Sequence, residues 1–362
     1  MKTKSCIMIA GGGTGGHIYP AIAIGRAIQR KNPQIAVRFV GTSQGLEQKI
    51  MDKEKLELHL IQSGKLNFSG NPILKLKTVF AIVYGFFQSV RLIKQYRPLY
   101  VLGVGGYASA PFLLAAALMN VPTALWEPNA HPGMANRLLS YFVKKAYLVF
   151  SEAERFLKSQ QTQIVGMPLR QEIELGRNLP KPMSSKFRIL CFGGSQGSLF
   201  LNQQISDLLI QNPQLQDKIH LVHQTGPADF ENMKKKYAGL SCVEVHEFIY
   251  NMPEYYQKSD VQFCRGGAST IAEAACFGVI PIVVPLPAAD NHQQKNAEAL
   301  LKNNAGFMIL QKEFQPEVLK QIVNQLMTDL VIRDTMIKNL QQMSSANAAD
   351  RIADDIFKEI GL

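Results

Sequence analysis

Two residues of this sequence could act as the base in a proton transfer. His17 directly follows the glycine run Gly11-Gly-Gly-Thr-Gly-Gly16. Histidine side chains in general titrate near neutral pH, which suits a group that takes a proton from a hydroxyl. Glu127 is the only acid between residues 58 and 151. A histidine at a helix terminus can instead simply bond the backbone, and Glu127 can orient His17 or pair with a cation, so the residues alone leave the base undecided.

Three glycine-rich turns could bind phosphate groups. They occupy residues 11–16, 193–197 and 265–270, and each follows an apolar run typical of a buried strand and precedes a helical pattern. The free amides and the positive dipole end at the start of a helix favour an anion. In the third glycine turn we expect the amides of residues 266–270 to face the diphosphate of a nucleotide.

Glu273 lies one turn inside the helix predicted after the third glycine turn. Its carboxylate could accept hydrogen bonds from ribose hydroxyls. The spacing Thr270-x-x-Glu273 is also that of a capping box, in which the glutamate bonds the Thr270 amide. Spacing alone favours the capping role.

The first glycine turn also satisfies the dinucleotide-binding fingerprint. The pattern Gly11-x-Gly13-x-x-Gly16 raises a dehydrogenase as a rival class of enzyme. That class carries an acid at the end of the second strand. The corresponding segment, Arg38-Phe-Val-Gly-Thr-Ser43, has no carboxylate. The sequence therefore disfavours NAD binding.

The elements that must hold these turns form two α/β domains. A chain of 362 residues, 46% of them hydrophobic, is too long for one ordinary core. The strand, glycine turn and helix that begin the chain return half a chain later, which predicts two Rossmann-like, doubly wound domains that face a cleft. The boundary falls in a stretch rich in Pro, Ser and charge. We predict domains at residues 1–165 and 166–345, with a helix at 346–362 that packs back on the first domain.

Cysteine usage and apolar segments indicate a protein of the reducing cytosol. Five scattered cysteines, none in a C-x-x-C spacing, favour neither a disulfide framework nor a zinc site. Residues 1–10 contain too short an apolar core for a secretion signal. Residues 100–126 carry no charge, but glycines and prolines divide them into a strand, a glycine turn, a short buried helix and a second strand. We therefore predict no membrane span there.

Positive charge is concentrated in the first half of the chain. The net charge is +11, and residues 58–151 contribute eight of these charges, from nine Lys or Arg against one acid. No motif of a DNA- or RNA-binding module accompanies them, so no nucleic acid partner is expected. An anionic membrane surface or a diphosphate lipid fits better. Residues 73–97 place apolar residues between cations, as a membrane-surface helix would; a core helix with solvated ends fits equally well.

Seven motifs occur in the order typical of one enzyme family. They are Gly12-Gly-Thr-Gly-Gly-His17, Gly103-Val-Gly-Gly-Tyr107, Trp126-Glu-Pro-Asn129, Gly166-Met-Pro-Leu-Arg170, Gly193-Gly-Ser-Gln-Gly197, Cys264-Arg-Gly-Gly-Ala-Ser-Thr270 and Asp290-Asn-His-Gln-Gln294. Together they span nearly the whole chain and resemble the MurG family, which transfers N-acetylglucosamine from UDP-N-acetylglucosamine to lipid I, giving lipid II for peptidoglycan synthesis.

The resemblance implies a GT-B fold in which residues 1–165 bind the acceptor and the membrane and residues 166–345 bind the UDP-sugar. It also implies a peripheral protein on the cytoplasmic face of the cell membrane, with other cell-wall synthesis proteins as further partners.

The resemblance further implies roles for individual residues. The turn that faces the donor sugar and the acceptor diphosphate resembles Thr14, Gly15 and Gly16, and the family's contacts to the donor sugar resemble Asn129 and Gln293. The family's contacts to the diphosphate resemble Arg170, Ser195, Gly267, Ala268, Ser269 and Thr270. The residue whose backbone reads uracil resembles Ile249, the ribose ligand resembles Glu273, and further substrate contacts are implied at Tyr107 and Gln294. For Glu273 the resemblance overrides the capping role. The family often has Leu where Ser269 stands, which should matter little because amides bind the phosphates.

The reaction implied by the resemblance inverts the configuration of the sugar. The 4-hydroxyl of muramic acid attacks the anomeric carbon, with His17 or Glu127 as the base. Helix amides and Arg170 would stabilise the leaving UDP. The sequence has no Asp-x-Asp pair for a bridging metal, so we expect neither a metal nor a cofactor. The alternatives are a nucleotide-sugar epimerase of the same architecture, which needs no lipid acceptor, and a non-enzymatic nucleotide-binding scaffold.

Overall fold

The structure is a computed structural model that describes residues 5–13, 15–43, 47–64, 72–177, 179–288 and 290–362, with the backbone alone at 72–76. The chain divides into two compact units. The first comprises residues 1–170 and 345–362, and the second comprises residues 171–344. Each unit is built around one β-sheet.

The first unit is built on a parallel sheet with helices between its strands. In chain order the elements are β1 (Cys6–Ala10), α1 (Gly15–Lys31), β2 (Ala36–Gly41), α2 (Glu47–Lys53), β3 (Leu58–Leu60), α3 (Pro72–Tyr96), β4 (Tyr100–Gly103), α4 (Ser109–Leu118), β5 (Thr123–Glu127), α5 (Met134–Leu139), β6 (Lys145–Leu148) and β7 (Gln161–Ile164). Among the described residues the strand order is β3-β2-β1-β4-β5-β6-β7, and all these pairs are parallel. Every residue of β1 is buried, as expected for a parallel strand covered on both faces.

The second unit repeats this plan. Its elements are α6 (Gln171–Gly176), β8 (Phe187–Phe192), α7 (Leu199–Ile210), β9 (Ile219–Gln224), α8 (Phe230–Lys236), β10 (Val243–His246), α9 (Met252–Lys258), β11 (Val261–Cys264), α10 (Ala268–Phe277), β12 (Ile280–Val283), α11 (His292–Lys302), β13 (Phe307–Met308), α12 (Pro316–Thr328) and α13 (Leu330–Gln342). The described strands again pair in parallel, in the order β10-β9-β8-β11-β12-β13. Two doubly wound units therefore follow each other along the chain.

Both sheets reverse their strand order at the first strand of the unit. β1 lies between β2 and β4, and β8 lies between β9 and β11. Doubly wound sheets bind ligands beyond the carboxyl ends of the strands at such a switch point. The first and second glycine turns follow β1 and β8, and the third follows β11. All three turns thus occupy the positions at which this architecture binds ligands.

The first helix begins earlier than its sequence pattern predicts. Pro20 marks a typical first turn, yet α1 starts at Gly15 and contains Pro20 in its second turn. Since proline has no N–H, Pro20 cannot donate to the carbonyl of Gly16 four residues before it. The earlier start places Gly15, Gly16 and His17 in the first turn of the helix.

The uncharged segment at residues 100–126 consists of α/β elements, as predicted. It contains β4, the turn around Gly105 and Gly106, α4 and the start of β5. Phe112 and Leu113 of α4 are completely buried. Of the helices that the structure describes, none is long and apolar enough to cross a membrane.

The last helix of the chain, α14 (Ala348–Ile360), packs against α1 of the first unit. Its apolar face is buried, including Ile352 and Ile356. Along its polar side, Asp355 accepts from the Lys145 ammonium group at 2.5 Å and from the Tyr147 hydroxyl at 2.7 Å. Apolar burial and these partly buried polar bonds together hold this helix on the sheet.

Candidate functional site

The first glycine turn packs directly on the backbone of the turn that follows β4. The amide of Gly12 donates to the carbonyl of Gly105 in that turn at 3.2 Å, and the amide of Gly11 donates to the carbonyl of Val40 in β2 at 2.9 Å. Gly106 has φ +81°, and a Cβ at this position would overlap with the backbone of Gly12. This close approach accounts for the glycines in both motifs.

His17 is held by the same pair of turns. Its Nδ1 lies 2.9 Å from the carbonyl oxygen of Val104. A carbonyl can only accept, so in the neutral ring Nδ1 carries the hydrogen and Nε2 is the basic nitrogen. The ring also packs on Gly105, where a Cβ would lie 2.7 Å from the ring atoms. The arrangement fixes both the tautomer and the orientation of the imidazole.

Glu127 is buried at the end of β5 and receives several N–H bonds. The backbone amide and the side-chain amide of Asn129 donate to Oε1 at 2.9 and 3.1 Å. The side-chain amide of Asn136 donates to Oε2 at 2.8 Å. The carboxylate therefore orients Asn129, a predicted contact of the donor sugar. Asn136 was not predicted, and its only signal was an amide side chain within a short helix of mostly apolar residues.

Four further predicted residues of the first unit are Gly15, Gly16, Tyr107 and Arg170. The Tyr19 ring lies next to Gly15, and the guanidinium of Arg170 lies over that ring at 5.2 Å. Gly16 is the second residue of α1. Tyr107 is partly exposed, and its carbonyl accepts from the Ser63 hydroxyl at 2.7 Å. Thr14 lies outside the described residues.

The second glycine turn places Ser195 at the surface of the second unit. Gly197 donates to Gly194 at 3.0 Å within the turn. A Cβ at Gly197, where φ is +74°, would overlap with the carbonyl of Thr225. Ser198 then caps α7, since its hydroxyl accepts from the amide of Leu201. The backbone of the turn is thus packed closely against Thr225 at Gly197, whereas Ser195 is exposed to solvent.

The third glycine turn begins α10, with Gly267 as the N-cap residue. The first intrahelical bond runs from Ile271 to Gly267 at 3.0 Å. The amides of Ala268, Ser269 and Thr270 precede this bond and have no acceptor within the helix, as is general for a first turn. They can therefore serve an anion.

At two points the structure differs from what the spacing of this turn suggests. Thr270 is inside α10 and is not its N-cap, so Thr270 and Glu273 do not form a capping box. The amide of Gly266 is not available to a phosphate, because it donates to Oε1 of Gln293 at 3.0 Å. The carbonyl of Gly266 accepts from the buried side chain of Asn296 at 3.1 Å. Gln293 and Asn296 thus clamp Gly266 from both sides, and Asn296 was not predicted.

Gln293 and Gln294 of α11 each use one end of the side-chain amide for hydrogen bonds within the protein. Oε1 of Gln293 also accepts from the amide of Leu286 at 3.0 Å. A sugar contact would therefore use the Nε2 group of Gln293. For Gln294 the situation is reversed, since its Nε2 donates to Glu298 at 3.0 Å and its oxygen is the group left to accept from a ligand.

Arg265 was not predicted as a site residue, although it lies within the third turn. Its guanidinium donates to the carbonyls of Val284 and Pro285 and to the Ser198 hydroxyl, at 2.8 to 3.3 Å. Arg265 thereby ties the loop after β11 to the loop after β12 and to the cap of α7. Its motif position next to Gly266 was the only signal in the sequence.

Ile249 lies between β10 and α9, with its side chain buried. Its amide donates to Oε1 of Gln224 at 2.9 Å. The neighbouring side chains of Phe248 and Tyr250 are exposed and contact each other edge to face. Because the side chain of Ile249 is buried, a ligand contact at this residue would involve its backbone.

One histidine of the second unit, His223, is buried and is not a candidate base. Burial lowers the pKa of His223 to about 3. Its ring nitrogens lie 2.9 Å from the Tyr237 hydroxyl and 3.0 Å from Oδ1 of Asn202. His223 is thus a neutral, hydrogen-bonded residue of the protein interior. The described residues contain no cluster of His, Cys, Asp or Glu that could hold a metal ion.

Comparison with known proteins relates this geometry to one family. The chain matches the N-terminal domain model of glycosyltransferase family 28 over residues 7–148 and the C-terminal domain model over residues 188–352. A relative from Bdellovibrio bacteriovorus, a UDP-N-acetylglucosamine--N-acetylmuramyl-(pentapeptide) pyrophosphoryl-undecaprenol N-acetylglucosamine transferase, is 52% identical over 99% of this chain and 100% of its own length.

Solved structures of known proteins share the fold of this chain. The crystal structure of MurG from Acinetobacter baumannii has a TM-score of 0.80 at 28% identity and covers 98% of this chain and 99% of its own. A UDP-GlcNAc 2-epimerase from Neisseria meningitidis has a TM-score of 0.69 at 13% identity, covering 98% of this chain and 100% of its own, which shows a shared fold alone. The predicted GT-B fold is confirmed. With both domain models matched and a relative 52% identical over its full length, the chain belongs to the MurG family of glycosyltransferases.

Proposed function

We propose that this protein transfers N-acetylglucosamine from UDP-N-acetylglucosamine to the 4-hydroxyl of the muramic acid of lipid I, giving lipid II. The observation that carries the proposal is the 52% identity, over the full length, to a relative named for this transfer. The turns at the two switch points support it, because they offer helix-terminal amides to phosphates and an oriented imidazole to a hydroxyl.

The second unit supplies the groups proposed to bind the donor. The amides of Ala268, Ser269 and Thr270, with Ser195, contact the diphosphate, and Arg170 of the first unit adds a positive charge. Glu273 accepts from the ribose hydroxyls. Negative charge develops on UDP as its bond to the sugar breaks, so preorganised amides stabilise this leaving group more in the transition state than in the ground state.

The first unit supplies the groups proposed to activate the acceptor. Nε2 of His17 takes the proton of the 4-hydroxyl. The oxygen of this hydroxyl bonds to the anomeric carbon as the bond between that carbon and the UDP oxygen breaks. Attack opposite the leaving group inverts the configuration. Glu127 acts through Asn129, whose amide it orients.

Transfer of radiolabelled N-acetylglucosamine from the UDP-sugar to a soluble lipid I analogue tests this function. We expect a labelled disaccharide lipid in the presence of both substrates and no change of the UDP-sugar when it is incubated alone. An absence of transfer in the native protein would refute the proposal. Epimerisation of the UDP-sugar without acceptor would instead establish the alternative enzyme, which at present shares only the fold.

The surface of the first unit supports a peripheral position on an anionic membrane. One face of α3 exposes apolar side chains, with Phe80 at 66% and Phe87 at 63% exposure. Further exposed apolar residues lie on α4, which packs against α3, and on or just after α5, which packs against α4: they are Leu118, Leu138, Tyr141 and Phe142. Phe86, by contrast, packs against the core of the unit. Exposed Lys77, Arg91 and Lys94 share α3 with this apolar face.

We predict that the protein binds vesicles containing anionic lipid, is released as salt rises, and binds neutral vesicles weakly. Each Lys or Arg near an anionic surface contributes about 1 kcal/mol, and salt screens this attraction. Replacing Lys77, Arg91 and Lys94 by Gln should abolish the salt-sensitive binding measured by vesicle sedimentation, while transfer to the soluble acceptor stays nearly unchanged.

A matched variant with Gln at the exposed Lys234, Lys235 and Lys338 of the second unit should bind vesicles as the unmodified protein does. Replacing Phe80 and Phe87 by Ser should reduce the salt-resistant part of the binding, because these side chains would insert into the lipid. Unchanged vesicle binding in the α3 charge variant would contradict the membrane assignment.

A further inference from the structure

One buried side chain connects the backbone of Ile249 with the second glycine turn. Gln224 is the last residue of β9, the strand between β8 and β10, and is 3% exposed. Its Oε1 accepts from the amide of Ile249 at 2.9 Å. Its Nε2 donates to the carbonyl of Gly194 at 3.0 Å. The oxygen of this side chain therefore bonds the segment between β10 and α9, and its nitrogen bonds the second glycine turn.

This bond determines which backbone group of Ile249 remains for a ligand. Its N–H is occupied by Gln224, so its carbonyl is the group left to bond. Pro253, four residues later, has no N–H and cannot donate to that carbonyl from the first turn of α9. In the part of the chain that the structure describes, no hydrogen bond ends on the Ile249 carbonyl. Ile249 thus presents an acceptor and no donor.

We propose that Gln224 determines the base selectivity of the enzyme by holding Ile249 with only its carbonyl directed to the nucleobase. The inference rests on the proposed function and on the role that the family resemblance implies for Ile249, whose backbone would read the uracil of the donor. Uracil carries a hydrogen on N3 and can donate to a carbonyl. Cytosine has a lone pair on N3, so two acceptors would face each other and remain unpaired, which is costly in a buried site.

The other end of Gln224 extends its influence to the diphosphate. Gly194 has φ +91°, and its carbonyl accepts from Gln224 and from the amide of Gly197. Ser195, the proposed diphosphate contact, is the next residue. Gln224 is thus a positioning residue that links base reading with the turn that contacts the phosphates.

Asn202 provides a matched control, because it stabilises the fold of the same region through buried hydrogen bonds. It is completely buried, and its side-chain amide donates to the carbonyl of Thr225 at 3.0 Å and to Asp229 at 2.8 Å. It contacts neither Ile249 nor Gly194 by any hydrogen bond among the described residues. Loss of Asn202 should therefore weaken the fold without changing base selectivity.

The test compares the Kd values of UDP and CDP for the full-length protein and its variants, by calorimetry, with the melting temperature of each. The unmodified protein should prefer UDP by about 100-fold or more, as sites that pair with a polar group of the ligand discriminate strongly. In Gln224→Met, which has a similar length but makes neither hydrogen bond, the preference should fall at least about tenfold. Asn202→Ala should lower the melting temperature and keep the preference.

Gln224→Glu gives a second test if the methionine variant does not fold. Its carboxylate still accepts from Ile249 but cannot donate to Gly194, so the preference for UDP should persist while both nucleotides bind more weakly. Loss of the preference in this variant, or a folded Gln224→Met variant with the original preference, would overturn the inference. An unmodified protein that binds neither nucleotide would instead refute the proposed function.

Discussion

Replacing His17 by alanine should lower kcat by about two orders of magnitude or more, because general-base catalysis typically contributes 10²- to 10⁴-fold. The affinity for UDP should change little, since the groups proposed to bind the uracil and the ribose belong to the second unit and His17 belongs to the first. Single-turnover transfer to the soluble acceptor and UDP calorimetry measure the two effects separately.

The variant His17→Asn distinguishes proton transfer from positioning. Its side-chain amide can still donate to the Val104 carbonyl, as Nδ1 of the histidine does at 2.9 Å, but it cannot act as a base. We expect the same loss of kcat as in the alanine variant. The acidic limb of the pH–rate profile should also disappear, because a base must be unprotonated to accept a proton. Near-normal turnover in either variant would assign the base to Glu127 or to water.

Glu127→Gln is expected to behave differently from the His17 variants. The carboxylate accepts N–H bonds on both oxygens, so an amide group there must turn one NH₂ towards a donor. The orientation of Asn129 would be disturbed, which should raise KM for the donor sugar more than it lowers kcat. A pH–rate profile that keeps its acidic limb would agree with this positioning role.

Replacing Glu273 by alanine should weaken UDP binding by about tenfold or more while the melting temperature stays nearly unchanged. A hydrogen bond to a charged group contributes about 1.5–3 kcal/mol. The stability should change little, because α10 is capped at Gly267 without any side-chain cap bond, and alanine is a good helix former. Calorimetry with UDP and thermal unfolding of the same samples provide the two measurements.

The ligand 2′-deoxy-UDP shows whether Glu273 acts on the ribose. The unmodified protein should bind it more weakly than UDP, whereas Glu273→Ala should hardly distinguish the two, because the partner of the 2′-hydroxyl is already gone. Equal UDP affinity in the variant together with a lower melting temperature would show that Glu273 serves the helix and not the ligand.

Some features of the fold were predictable because they depend on neighbours in the chain. The apolar run of residues 6–10 and the glycines after it predicted β1 and its turn, and the same pattern at residues 188–197 predicted the second unit. The start of α1 was not predictable in this way. Pro20 normally marks a first helical turn, but contacts of Gly12 and His17 with the distant turn after β4 accompany a helix that begins at Gly15.

The sequence by itself determined which chemical groups stand beside the glycine turns: an imidazole, a carboxylate in a basic region, and amides at helix starts. Only the tertiary structure decided which of these groups are occupied by the protein itself. Gln293 bonds the amide of Gly266, Gln224 bonds the amide of Ile249, and two asparagines bond Glu127. The first two pairs are more than 20 residues apart, and short-range patterns carry no information about such partners. Folding brings them together at the ends of neighbouring strands, where an occupied donor can no longer serve a ligand.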